Sequence, residues 1–134
     1  MRLTAASVHA VRALVHLANE NKNRVVASHV IAAAEGMPRL FLLKVLKPLV
    51  SARLLHSIKG PHGGYRLTRP ADRITLLDVI EAVEGPLPRM VPDVSGKETA
   101  KLHGRLQQVC DRAAELVRRR LRRVSVQDLA GQKG

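Results

Sequence analysis

Lys59-Gly60-Pro61-His62-Gly63-Gly64-Tyr65-Arg66-Leu67 is the stretch around which the chain is organised. Its glycines and proline cannot sit inside a regular helix without cost, and glycine supplies positive φ wherever a turn demands it. Just upstream, Leu54-Leu55-His56-Ser57-Ile58 reads as a short strand, and Tyr65-Arg66-Leu67 as its returning partner. The stretch therefore predicts a two-stranded ribbon whose tip exposes backbone N–H groups beside Lys59, His62 and Arg66. A cationic, backbone-rich tip suits a groove or a phosphate backbone. Toward the N-terminus, two short helical segments joined at a glycine precede the ribbon. Helix, helix, basic hairpin is the layout of a winged helix-turn-helix, an architecture that binds DNA.

The helices are read from period and caps. From Ser7 to Asn19, apolar residues fall at Val8, Val11, Leu14, Val15 and Ala18, the spacing of a core-facing helix. Asn19-Glu20-Asn21-Lys22-Asn23 is a polar break, and Arg24-Val25-Val26-Ala27 suits a short extended segment. Ser28 is a good N-cap for a helix over residues 29–35, with Gly36 as its C′ residue. Pro38 suits the first turn of a second helix through Arg39-Leu40-Phe41-Leu42-Leu43-Lys44-Val45-Leu46. Pro48 conflicts with that helix, since a proline inside a helix removes a backbone hydrogen bond and clashes one turn back, at a cost of about 3 kcal/mol. A kink near Val45–Pro48 is expected rather than an early end, because Leu46, Leu49, Val50 and Leu54 keep the apolar period.

Beyond the hairpin, Thr75 and Asp78 form a capping-box pair that opens a helix over residues 76–84, and Gly85-Pro86 stops it. Pro86, Pro88 and Pro92 make the next stretch a loop, and Ser95-Gly96-Lys97-Glu98 is a second capping box. It opens a long helix to about Val124, with an apolar stripe of Leu102, Leu106, Val109, Ala113, Leu116, Val117, Leu121 and Val124. That stripe has no evident partner within the chain, and the same helix of a second copy is the natural one. Ser125-Val126-Gln127-Asp128 caps one last short turn, and residues 131–134 read as a frayed end. The expected organisation is thus a DNA-binding domain over 1–85, a loop over 86–97, a dimerisation helix over 98–124 and a short tail over 125–134. The fold class is mainly α with a small β-hairpin wing.

Composition sets the outer bounds. Apolar residues make up 46% of the chain but aromatics only 1%, so the core must be aliphatic. Lysine and arginine outnumber aspartate and glutamate by 23 to 11, for a net charge of +12, which favours polyanions. The excess is divided evenly between residues 1–85 and 86–134, so charge alone does not locate a site. The run Arg118-Arg119-Arg120 with Arg122-Arg123 reads as a solvated face of the long helix, or as an extra polyanion contact. No apolar run reaches the roughly 18 residues of a spanning helix, no signal-peptide pattern opens the chain, and no membrane partner is expected. A single cysteine, Cys110, excludes an intrachain disulfide, and the cytoplasm is the expected compartment.

Together, Met1-Arg2-Leu3-Thr4, the helix ending at Gly36, Leu54-Leu55, the glycine-rich hairpin and Ile74-Thr75-Leu76-Leu77-Asp78-Val79-Ile80-Glu81-Ala82-Val83-Glu84-Gly85 resemble the Rrf-two family of bacterial winged-helix transcription regulators. The resemblance covers essentially the whole chain. It implies a homodimer joined by the long C-terminal helix and a palindromic double-stranded DNA operator. It makes the helix from Pro38 the recognition helix and Lys59–Tyr65 the wing, with Lys59 entering a minor groove. Arg39, Leu40, Phe41, Leu43 and Lys44 match positions facing the major groove. Leu40 and Leu43 stand where some relatives carry polar base-reading side chains, which leaves hydrogen-bonded readout to Arg39 and Lys44 and apolar contact to thymine methyls. The expected DNA-contact set is Arg2, Ser28, Arg39, Leu40, Phe41, Leu43, Lys44, Lys47, Lys59, Pro61, His62, Gly63 and Tyr65.

Cluster-binding members of the family carry three cysteines in the loop and early dimer helix. Here no cysteine precedes Cys110, so no iron–sulfur cluster is expected, and no cofactor or metal site is assigned. Cys110 reads as a small apolar interface residue, or as a redox-sensitive thiol near Arg112. His9, His16 and His103 lack a ligand constellation. No nucleophile elbow, nucleotide-binding glycine loop or zinc motif appears, so no enzyme activity is expected. Two readings stay open beside the sequence-specific regulator: a partner-binding or nonspecific nucleic-acid module using Leu40, Phe41 and Leu43 as a docking patch, and a redox regulator using Cys110.

Overall fold

The computed structural model describes residues 2–20, 24–86, 96 and 100–131. The elements run α1 (Ala5–Asn19), α2 (Ser28–Glu35), α3 (Arg39–Ser51), β1 (Leu55–Ile58), β2 (Gly64–Leu67), a 3-10 turn (Ala71–Arg73), α4 (Leu76–Glu84), α5 (Ala100–Arg122) and α6 (Val126–Ala130). The chain is a winged helix-turn-helix: a mainly helical fold that carries, among the described residues, a two-stranded antiparallel sheet. The loop expected over 86–97 and its capping box lie, apart from Pro86 and Gly96, outside the described residues, as do 132–134.

The core is aliphatic. Leu14, Ile31, Leu42, Leu46, Leu49, Leu55, Ile74 and Ile80 are fully buried, each worth roughly 1.5–3 kcal/mol over an exposed position. On α1 the expected face holds in part: Leu14 is fully buried and Val11, Val15 and Ala18 pack against the core, but the most buried face is turned away from Val8. Ser7, Ala10, Ala13, Leu14 and Leu17 turn inward, while Val8 is 45% exposed. Ala10 and Ala13 are small enough to bring α1 close to the elements behind it, and a period read from Val8 passes over them. Thr4 N-caps α1, its hydroxyl accepting from the Ser7 N–H at 3.1 Å. Glu84 closes the same corner by accepting from the Ser7 hydroxyl and from the Thr4 N–H and hydroxyl. Arg12 ties α1 to the end of α2 by donating to the Glu35 carboxylate and carbonyl.

α4 carries the full capping box expected of Thr75 and Asp78. The end of the chain is more deeply built in than a tail. Ser125 and Asp128 cap α6, Val126 is 1% exposed, and α6 packs on α1. Two backbone bonds hold it: the Leu76 N–H donates to the Val124 carbonyl at 2.7 Å, and the Val126 N–H to the Ile74 carbonyl at 2.8 Å. After the long α5, the chain therefore returns to the core of the first helices.

Candidate nucleic-acid interface

The turn between α2 and α3 is fixed by backbone bonds. Gly36 is left-handed, at φ 62° and ψ 38°. The Met37 N–H donates to the Ala32 carbonyl at 2.9 Å and the Gly36 N–H to the Ala33 carbonyl at 3.4 Å. This is a Schellman stop with its apolar plug, Met37, buried behind it. Pro38 follows in an extended conformation, and α3 starts at Arg39. Ser28, expected to cap α2, is instead its first helical residue, and Ala27 occupies the cap position without a side-chain bond. The Ser28 hydroxyl is thereby free for another partner. It accepts from Arg39 Nε at 3.1 Å.

α3 divides cleanly by face. Leu42, Val45, Leu46 and Leu49 are buried, whereas Arg39, Leu40, Lys44, Lys47 and Ser51 are exposed. Leu40 is the most open apolar side chain of the helix, at 76%. The rings of Phe41 and His9 meet nearly at right angles, with centroids 5.2 Å apart at 87°. Leu43 is half-buried. The helix runs unbroken through Pro48 to Ser51, so the proline does not end it. It then stops in a second Schellman arrangement, with the Leu54 N–H on the Leu49 carbonyl and the Arg53 N–H on the Val50 carbonyl. Arg53 sits in the left-handed region at φ 61°, a place more often taken by glycine.

The wing follows directly. β1 and β2 pair with Leu55 opposite Leu67, His56 opposite Arg66, Ser57 opposite Tyr65 and Ile58 opposite Gly64. A third segment joins them, as Val26 and Tyr65 exchange both backbone bonds, at 2.8 and 2.9 Å. The tip depends on its glycines for room: a Cβ on Gly63 would lie 2.1 Å from the Ile58 carbonyl oxygen. Lys59, Pro61 and His62 are exposed at the tip, Gly63 is half-buried, and half-buried Tyr65 packs against the core. Arg2 is exposed just ahead of α1.

Among the described residues, cations without a carboxylate partner occur on α3 and the wing, and also at Arg53 and Arg73 and along α5. Among the described residues, Arg2, Arg39, Lys44, Lys47, Lys59 and Arg66 make no ion pair. Arg12 is held by Glu35, Arg24 by Glu20, Arg69 by Asp78, and Arg118 by Glu81 and Glu115. Cations left without carboxylates on a helix-turn-helix and its wing are available to phosphates.

α5 has no buried residue. Leu102, Leu106, Val109 and Leu116 are 47–65% exposed, and Ala113 between them is exposed as well. Their spacing alternates four and three residues, the seam of a coiled coil. Val117 and Leu121 are half-buried and lie to one side of that seam, the side from which Arg118 reaches Glu81 of α4 at 3.7 Å. Cys110 is a half-buried free thiol on the same side of the seam. Among the described residues, no group of three or more His, Cys, Asp or Glu side chains could hold a metal ion, and no helix is long and apolar enough to cross a membrane.

Residues 3–132 match the family model described as "Rrf2: Iron-dependent Transcriptional regulator". A Mycobacterium tuberculosis protein whose name assigns it to the HTH-type transcriptional regulators is 42% identical over 87 residues, 65% of this chain and 54% of that protein. The chain spans about half the length of the curated relatives it matches. Among solved structures, the global cysteine regulator CymR of B. subtilis superposes with a TM-score of 0.77 at 26% identity, over 98% of this chain and 97% of that one. IscR of T. potens has the same fold, with a TM-score of 0.71 at 23% identity over 96% and 85% of the two chains. With its whole winged-helix body inside the match, the chain belongs to the Rrf2 (Rrf-two) family of transcription regulators.

Proposed function

We propose that this regulator binds a palindromic double-stranded DNA operator as a homodimer and does so without an iron–sulfur cluster. The observation that carries the reading is the row of unpaired cations and open side chains on α3 and the wing: Arg39, Leu40, Lys44 and Lys47 on the helix, Lys59 and His62 at the tip. In this reading α3 enters the major groove, where Arg39 and Lys44 supply hydrogen bonds and Leu40 an apolar contact to thymine methyls. The wing lies along the backbone and reaches the adjacent minor groove with Lys59. Arg2, Lys47 and the wing N–H groups hold phosphates and give affinity that falls steeply with salt.

The exposed seam of α5 supports the dimer. Leaving Leu102, Leu106, Val109 and Leu116 in water forfeits the burial that a second α5 would supply. A two-fold pair of α3 helices then reads half-sites spaced by one helical turn or a multiple of it. The family's iron finds a poor donor set here. One cysteine per chain gives two thiolates per dimer, fewer than a cysteine-ligated cluster takes, and Cys110 sits half-buried on a helix rather than in the loop before it.

Selection of bound DNA from a random pool at near-physiological salt, using freshly purified protein, tests this reading. Recovery of a palindromic motif by colourless protein supports it. Tight low-salt binding with no recovered motif overturns it in favour of a nonspecific or partner-binding module.

A further inference from the structure

We infer that Ser28 is a positioning residue, which aims Arg39 so that its two terminal nitrogens read a guanine in each operator half-site. The inference rests on the reading of α3 as the recognition helix, and it adds what base that helix demands and why. Arg39 is the first residue of α3, and the N-terminal residues of a recognition helix are those that reach base edges. Its side-chain bond within the described residues runs from Nε to Ser28 Oγ at 3.1 Å. Ser28 itself is 8% exposed, too enclosed to touch a base, so its hydroxyl acts through the arginine.

The consequence follows from the shape of the guanidinium. Its five N–H donors form a rigid planar fork, one on Nε and two on each terminal nitrogen. An arginine can grip guanine N7 and O6 either side-on, using Nε and one terminal nitrogen, or end-on, using both terminal nitrogens. With Nε donating to Ser28, the side-on grip is spent and the end-on one is presented. Adenine offers a donor where guanine has O6, so an end-on fork meets N6–H₂ with a hydrogen it cannot accept. Fixing Nε before DNA arrives also removes rotamer freedom that a free arginine would lose on binding. The bond joins α2 to α3 across the turn, so the aim of Arg39 is set by the same buried corner that sets the angle of the helix pair.

The test is DNA selection and competition binding with the full chain and its Ser28→Ala, Ser28→Thr, Ser28→Val and Arg39→Ala variants. The wild type is expected to recover a motif with a guanine in each half-site, and Arg39→Ala to lose that position alone. Ser28→Ala is expected to reduce the preference for guanine over adenine about tenfold, within the range for one bidentate contact, while binding to unrelated DNA stays unchanged. Ser28→Thr keeps the hydroxyl and should keep the preference. Val matches Thr in shape without the hydroxyl, so the Thr/Val pair makes the same comparison at constant volume if the alanine variant folds poorly. Full guanine preference in Ser28→Ala or Ser28→Val overturns the role of Ser28. A uniform loss of affinity for every sequence in Arg39→Ala overturns guanine readout in favour of a phosphate contact. In both cases a palindromic motif in the wild type leaves the operator reading standing, whereas its absence removes both.

Discussion

Gly64 and Val26 approach so closely that no side chain fits between them: a Cβ on Gly64 would lie 2.2 Å from the Val26 carbonyl oxygen. The atoms it would strike are backbone, which cannot swing aside as a long side chain can. Gly64 also stands at φ +154° and opens β2, next to Tyr65, whose N–H and carbonyl both bond to Val26. The wing is thus a three-segment structure anchored at one residue pair. Gly64→Ala should cost on the order of 2–3 kcal/mol, since relief requires backbone movement. A chemical denaturation series on the variant measures this. A loss under 0.5 kcal/mol would show that Val26 does not anchor the wing.

Arg53 offers the opposite case. It occupies the left-handed region at φ 61° with an exposed side chain and no ion pair among the described residues. An L-residue there is strained by about 1–2 kcal/mol, of which a glycine loses part to its freer unfolded chain. Arg53→Gly should therefore stabilise the protein by about 0.5–1 kcal/mol and raise its Tm by roughly 3 °C. A thermal melt that moves downward would mean that the arginine side chain holds the end of α3 in some other way.

The two sites show what the sequence can and cannot disclose. The wing, Gly36 and the Thr75/Asp78 box were legible because glycine, proline and capping side chains act locally, within a turn of where they stand. The stop at Arg53 was not, because an arginine carries no turn signal and only the bonds of Leu54 and Thr68 around it reveal the geometry. The turn of the α1 face away from Val8 is hidden in the sequence for a related reason. Close packing against α1 uses Ala10 and Ala13, whose small size matters only once the neighbouring elements are in place. The return of α6 to the core is long-range, since Val126 meets Ile74 across the whole of α4 and α5. Within the candidate interface, the positions of Arg39, Lys44 and Lys59 followed from pattern. The Ser28–Arg39 bond did not, because Ser28 reads equally well as a cap.

The seam of α5 gives a third prediction. Leu106 and Val109 are 47% and 65% exposed and lie at its middle. In the proposed two-fold dimer, replacing both with glutamate would put four carboxylates into one small interface, where apolar burial would be lost and like charges would repel. Sedimentation velocity should then find a folded monomer, with its helical signal largely kept because the core of α1–α4 and α6 does not use these residues. Affinity for a palindromic site should fall about 100-fold, as two linked half-site contacts become independent. A variant that remains dimeric would place the interface elsewhere.

Lys59 tests the wing as a DNA contact rather than as a structural element. It is exposed at the hairpin tip and makes no ion pair among the described residues, so its removal should leave stability within about 0.5 kcal/mol of the wild type. On DNA the effect should be distinct. A lysine that neutralises phosphates at a groove edge releases about one counterion per chain on binding. Lys59→Ala should therefore lower affinity and make the plot of log affinity against log salt shallower by about one unit per protomer. If Lys59 enters the minor groove, the loss should be larger on operators whose flanks are A·T-rich, where the narrow groove concentrates negative potential. Fluorescence anisotropy across a salt series, on operators with A·T-rich and G·C-rich flanks, separates these effects. An unchanged slope would remove Lys59 from the interface. A changed slope with no dependence on the flanks would make it a phosphate contact outside the groove.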